Sequence, residues 1–270
     1  MTNKKSNILP IVVMYLLFFM IAFVTNLCNP MAVIVKNNFE MSNFAAQLGN
    51  AANFSAYAVM GIPAGMLLKK IGYRKTALVA ILVGFIGVFL QYMSGWAAIQ
   101  SFGVYLAGAF IAGFSMCMLN IVVNPMLNKL AGGGNRGNQL LQVGGSFNSF
   151  MGTAVIFLTG IFVPSIVDAK ISQVFPLMFI ALAIFAVAFL VILGTHIPET
   201  ERSAEVEKES DSKVGPMSFR HFVLGAIAIF IYVGVEVGIP NVLQKWLQNG
   251  GLNVETGAEG IAATVAATYW

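Results

Sequence analysis

Seven apolar stretches, each long enough to cross a lipid bilayer, fill most of the 270 residues, and the few charged side chains sit almost wholly in the gaps between them. A helix needs about 20 consecutive apolar residues to span the hydrocarbon core. The stretches run from Pro10 to Val35, Ala45 to Leu68, Thr76 to Met93, Phe102 to Leu127, Leu140 to Val163, Val174 to Leu193 and Phe222 to Leu243, and an eighth begins near Gly260. With 58% hydrophobic and 10% charged residues, against roughly a quarter charged in a soluble domain, an all-α membrane protein is expected.

The net charge of +4 does not point to nucleic acid. The basic residues are scattered beside apolar runs, whereas nucleic-acid binding calls for a clustered basic face. Lys4 and Lys5 precede the run from Ile8 to Leu27 in the manner of a signal peptide. That run is longer than a signal core and lacks a small-residue cleavage site, so it reads as the first span. Cys28 and Cys117 both fall inside predicted spans, where a thiol behaves as a small buried hydrophobe. A disulfide between them is not expected.

If the first helix starts in the cytoplasm, Lys36, Lys170 and Lys245 lie outside and the other twelve of the fifteen Lys and Arg residues lie inside. The positive-inside rule therefore places the N-terminus in the cytoplasm. The segment ETERSAEVEKESDSKVGPMS, residues 199 to 218, is polar and mixed in charge, the composition of a solvated linker. Six spans, a linker and a new series of spans suggest a transporter of two six-helix halves. The expected division is a six-helix bundle over 1–198, a cytoplasmic linker over 199–220 and the start of a second bundle over 221–270. The closing AATVAATYW has no cap and no polar tail, so the chain is read as a fragment or truncated product that stops in its eighth helix.

Every third helix pairs polar residues with a proline. The first has Asn26, Asn29 and Pro30, the fourth Asn120, Asn124 and Pro125, and the seventh Glu236, Pro240 and Asn241. Transporters built from three-helix repeats place broken, polar helices at corresponding positions around a central cavity. The alternative is three ordinary proline kinks, which membrane helices tolerate. Helix two carries Gln47, Asn50, Asn53 and Tyr57 on one face, and helix five carries Gln142, Ser146, Ser149 and Thr153, with Asn148 to the side. Amides and hydroxyls both donate and accept, which suits a neutral polyhydroxylated ligand such as a sugar. They serve equally to cross-link neighbouring helices.

Glu236 is the one acidic residue within a predicted span. An ionised carboxylate at a helix centre costs roughly 2.5–3.5 kcal/mol on the insertion scale, so Glu236 must be protonated, paired or facing water. It is a candidate carrier of a coupling proton, with a helix-to-helix hydrogen bond as the alternative. Between helices two and three the chain reads GMLLKKIGYRK. There Gly65 would permit close helix approach, Gly72 would support a tight turn, and Lys69, Lys70, Arg74 and Lys75 would meet the anionic leaflet.

That loop resembles the signature loop of the major facilitator superfamily, with Lys69 where the signature usually has an aspartate. FFMIAFVTNLCNP in helix one, SNFAAQLGNA and GIPAGMLLKKIGY around helix two, NIVVNPM, GSFNSFMG, YVGVEVGIP and the final AATYW together resemble its fucose and glucose/galactose permease branch. The resemblance implies a major facilitator fold, here a complete six-helix N-terminal half plus helix seven and the start of helix eight. It also implies a twelve-helix whole, monomeric when full length, that takes up sugar with protons by alternating access in a bacterial inner membrane, without a cofactor. The branch's acidic positions in helices one and four fall on Asn29 and Asn120, its helix-five asparagine on Asn148, and a glutamine one turn earlier on Gly145. An amide can bind a hydroxyl but cannot release a proton. Coupling through Glu236, coupling to sodium or another cation, and uncoupled facilitation are the routes left.

Three other classes fit less well. A seven-helix receptor would need its seventh helix to end in the cytoplasm, and a retinal protein would need a lysine within that helix; neither condition is met. A truncated product could be inactive in transport. An enzyme is not expected, since no metal-ligand cluster, nucleophile triad or phosphate loop is present and His196 and His221 stand singly at helix ends.

Overall fold

A computed structural model describes residues 8–163, 169–195 and 215–248. His196, most of the expected linker and the eighth span lie outside the described residues. Among those described, every element is helical. They are α1 (Ile8–Asn38), a single turn α2 (Asn43–Ala46), α3 (Leu48–Met93), α4 (Phe102–Leu130), α5 (Gly134–Phe162), a 3₁₀ turn at Ile171–Val174, α6 (Phe175–Gly194), a second 3₁₀ turn at Pro216–Ser218 and α7 (Arg220–Gln248).

Helix α3 contains the two spans that hydropathy reads there, broken at Gly72. Its 46 residues would reach about 69 Å at 1.5 Å per residue, more than twice the roughly 30 Å hydrocarbon core. The break falls at Gly72, with φ 83° and ψ 175°, a conformation that a Cβ would strain. Residues 48–71 and 73–93 are therefore two crossings joined by one residue, and together with α1, α4, α5 and α6 they make six. Helix α5 starts six residues before the expected Leu140. Its first turns, GNRGNQ, are polar, so hydropathy marks only where the helix enters the apolar layer and not where it begins.

The described residues up to Thr195 form one compact unit, and those from Gly215 to Gln248 form another. In the first, α1 packs against α4, α5 and α6, while α3 packs against α4 and α6. The core is aliphatic and methionine-rich. Met14, Leu17, Met20 and Phe23 of α1 and Met116 and Leu119 of α4 are all fully buried. Between lipid-facing helices such packing relies on close approach and polar links. A Cβ on Gly84 would strike the Phe185 ring and the Ser115 hydroxyl, and one on Gly87 would sit 2.5 Å from the Ala112 amide nitrogen. Ser115 also donates 2.6 Å to the Ala80 carbonyl. The close approach expected at Gly65 is not found: its Cβ position meets nothing within 4 Å among the described residues, because it faces away from the helices that α3 packs on.

At one end the Tyr92 ring packs, tilted, with its centre 4.6 Å from that of Phe175 and 4.8 Å from that of Phe179, the amphipathic aromatic grouping typical of a membrane interface. At the opposite end Arg74 donates through Nε to the Ile192 carbonyl at 3.3 Å and through Nη2 to the Leu193 carbonyl at 2.6 Å. A guanidinium there satisfies two terminal carbonyls of α6 and opposes the negative end of its dipole, an effect worth about 0.3–1 kcal/mol at a solvated helix end. Arg74→Gln is expected to speed amide exchange in residues 192–195 by up to about fivefold, as read by hydrogen–deuterium exchange of the purified protein. Unchanged exchange there would show that the contact carries no stability.

Candidate functional site

Polar residues of α1, of the 48–71 arm of α3 and of α4 meet in one seam. α1 and the 48–71 arm of α3 run antiparallel, which sets Cys28 against Asn53 and Thr25 against Tyr57. Asn53 Nδ2 donates to Cys28 Sγ at 3.2 Å, and the Cys28 thiol donates to the Val24 carbonyl of its own helix at 3.6 Å. Thr25 stands beside the Tyr57 hydroxyl. α4 lies parallel to the same arm of α3. Asn120 Nδ2 donates to the Tyr57 hydroxyl at 3.4 Å and to the Met116 carbonyl at 3.1 Å, and Cys117 Sγ donates to the Tyr57 carbonyl at 3.8 Å.

This approach is possible because Gly113 lies directly on α3. A Cβ there would fall onto the Asn53 carbonyl and within 2.7 Å of the Ala56 Cβ. Gly49 permits the same closeness a helical turn before Asn53, where a Cβ would come 2.7 Å from the ring of buried Tyr105. The seam is thus lined by hydroxyl, amide and thiol groups. Glu40, beyond the seam near the end of α1, is the single acid described in the first unit.

The candidate residues divide into two groups. Asn26 is buried and turns its Nδ2 back to the Ala22 carbonyl at 2.8 Å, while Asn50 is buried and donates to Gln47 Oε1 at 2.9 Å. Both bonds are local, within one turn, whereas Asn53 links α3 to α1 through Cys28, the use that polar residues have in membrane bundles. Asn124 and Gln142 are exposed, and Asn120 and Asn148 are half-buried. Ser146 and Thr153 spend their hydroxyls on the Gln142 and Ser149 carbonyls of their own helix, at 3.1 and 3.3 Å. Asn29 lies within α1 one residue before Pro30. Glu236 is exposed on α7 in the second unit.

Thr25, Cys28 and Cys117 were not legible as members of a site. Both cysteines are buried and free, as their positions in apolar spans suggest, yet each also makes a hydrogen bond. Thr25 and Cys28 are one turn apart, and that spacing was the available signal.

The sequence profile of the Major Facilitator Superfamily matches residues 14–269. The chain belongs to this superfamily. Among relatives, it is 28% identical to the glucose/galactose transporter of Brucella abortus biovar 1 (strain 9-941), over 97% of this chain and 64% of that one. It is 30% identical to the putative glucose/galactose transporter of Helicobacter pylori (strain ATCC 700392 / 26695), over 89% and 60%. It is 26% identical to the L-fucose-proton symporter of Escherichia coli (strain K12), over 90% and 60%. The chain thus spans less than two thirds of the length of these curated relatives. The crystal structure of the E. coli fucose:proton symporter matches 98% of this chain and 68% of its own, with a TM-score of 0.73 at 22% identity. The nucleoside transporter NupG gives 0.56 at 14% identity. Both likenesses show the fold, a partial major facilitator fold of transmembrane helices. Membership of this superfamily, with five described helices long and apolar enough to cross a membrane, makes this a membrane protein.

Proposed function

We propose that the protein is a secondary transporter of a neutral hexose or deoxyhexose, working by alternating access in a bacterial inner membrane with its N-terminus in the cytoplasm. The observation that carries this reading is the similarity, over about nine tenths of the chain or more, to relatives named for glucose, galactose and fucose. A first unit whose described spans offer amides and hydroxyls without a carboxylate supports it. In this reading the sugar is held by Asn120, Asn124, Gln142 and Asn148, whose amides are not fully buried, together with Asn29. An exposed amide within a span is too costly to face hydrocarbon and belongs against water or protein. Asn50 and Asn53, which donate to Gln47 Oε1 and Cys28 Sγ, are the further candidates for sugar contact. Gly72, Arg74 and Lys75 form the loop that shifts as access alternates. Residues 199–220 join the two halves.

Uptake of labelled glucose, galactose and fucose by cells expressing the full-length protein tests the reading. Accumulation of at least one of them above the vector control is expected, and no uptake of any would contradict it. Amides at Asn29 and Asn120, in place of the branch's acids, favour a second reading in which sugar entry is uncoupled. Glu236 decides between them as the carboxylate present in a described span of the second unit. If it carries the coupling proton, Glu236→Gln abolishes ionophore-sensitive accumulation while exchange across the membrane continues. Unchanged accumulation by the variant would remove Glu236 from the mechanism.

A further inference from the structure

We propose that Tyr57 is a positioning residue for the hexose site: its hydroxyl holds the Asn120 amide in one orientation, leaving Asn120 Oδ1 as an acceptor for a sugar hydroxyl. The inference rests on the hexose reading above and gives that site its donor and acceptor sense. Asn120 Nδ2 donates to the Tyr57 hydroxyl at 3.4 Å and to the Met116 carbonyl at 3.1 Å. A carbonyl can only accept, so the Met116 contact settles which end of the amide is nitrogen. Both N–H groups are thereby spent. Asn120 is half-buried, and its Oδ1 takes no hydrogen bond among the described residues.

An amide oxygen within a span is costly to leave without a donor, and half burial keeps this one open to a ligand. Asn124 follows one turn later on α4 and is exposed, so the two amides share a face. Tyr57 is itself fixed by its neighbours. Thr25 of α1 stands beside its hydroxyl, Cys117 Sγ of α4 donates to its carbonyl at 3.8 Å, and the bare Gly113 lets α4 lie directly on this arm of α3. A phenylalanine at 57 would keep the ring and lose the acceptor that Asn120 uses. The arrangement has a consequence for selectivity, since the sugar hydroxyl at Asn120 must donate. Neither hydrogen nor fluorine on carbon can do so, and both replacements are refused at that position.

The test measures equilibrium binding of glucose, galactose and fucose, and of their monodeoxy and monodeoxyfluoro analogues, to the purified full-length protein. At one hydroxyl position both analogues are expected to bind about fivefold more weakly than the parent sugar, the factor for one neutral hydrogen bond. That difference should vanish in Asn120→Leu or, should that variant not fold, in Asn120→Ala. Tyr57→Phe should weaken binding of the parent sugar about fivefold in the wild type and leave it unchanged in the Asn120 variant, because residues that share one hydrogen bond are not additive. Equal losses in the two backgrounds would overturn the proposal. So would the absence of such a position in the wild type, or an Asn120 variant that keeps the discrimination. No binding of any parent sugar to the wild type would instead overturn the hexose reading, and this one with it, so the two failures are told apart.

Discussion

A leucine at Gly113 is expected to lower the midpoint of thermal unfolding by about 6–12 °C, the shift that about 3 kcal/mol produces in a protein of this size. The reason is geometric. The Cβ alone would fall onto the Asn53 carbonyl and press the Ala56 methyl at 2.7 Å, and the first of these is backbone, which cannot rotate away. Overpacking a close-packed interface costs typically 1–3 kcal/mol, and here relief requires α4 to move off α3. That movement would also stretch the Asn120–Tyr57 and Cys117–Tyr57 hydrogen bonds, so the polar seam should open with the interface. Gly65→Leu is the control. It adds the same bulk to the same arm of α3, where nothing lies within 4 Å among the described residues, and its midpoint should match the wild type. Equal midpoints for Gly113→Leu and the wild type, in a fluorescence-monitored melt, would show that the two helices are not held this closely.

The second large effect concerns sugar binding. Removing both exposed amides, Asn124→Leu together with Gln142→Leu, is expected to weaken hexose binding about thirtyfold. A hydrogen bond to a neutral hydroxyl contributes about 1 kcal/mol net, the two residues stand on different helices, and effects of separate sites add. About 2 kcal/mol corresponds to that factor. The loss should appear in KM for uptake, while the thermal midpoint stays near the wild-type value because neither side chain is buried. An unchanged KM would remove both residues from the sugar site.

How much of this was legible in the sequence follows from what each signal measures. Hydropathy located the crossings because lipid imposes a length on every one of them. The tight turn expected at Gly72 is there too, with φ 83° separating the second crossing from the third. Hydropathy could not tell Gly65 from Gly113. Both are glycines in apolar runs, and only the pairing of helix faces decides which meets a neighbour. The polar face of Asn50, Asn53 and Tyr57 was visible in its spacing. Its burial was not, because that depends on α1 and α4 lying across it. Thr25 and Cys28 joined the site only through the antiparallel register that sets them against Tyr57 and Asn53.

The central claim, transport of a neutral hexose, is tested most directly by counterflow. Proteoliposomes containing the purified full-length protein are preloaded with unlabelled glucose, galactose or fucose and diluted into a trace of the same labelled sugar. A transient accumulation of label is expected with at least one of the three, with or without a proton ionophore, because exchange needs only alternating access and a sugar site. Absence of counterflow with all three, from protein that remains folded and monodisperse, would contradict it.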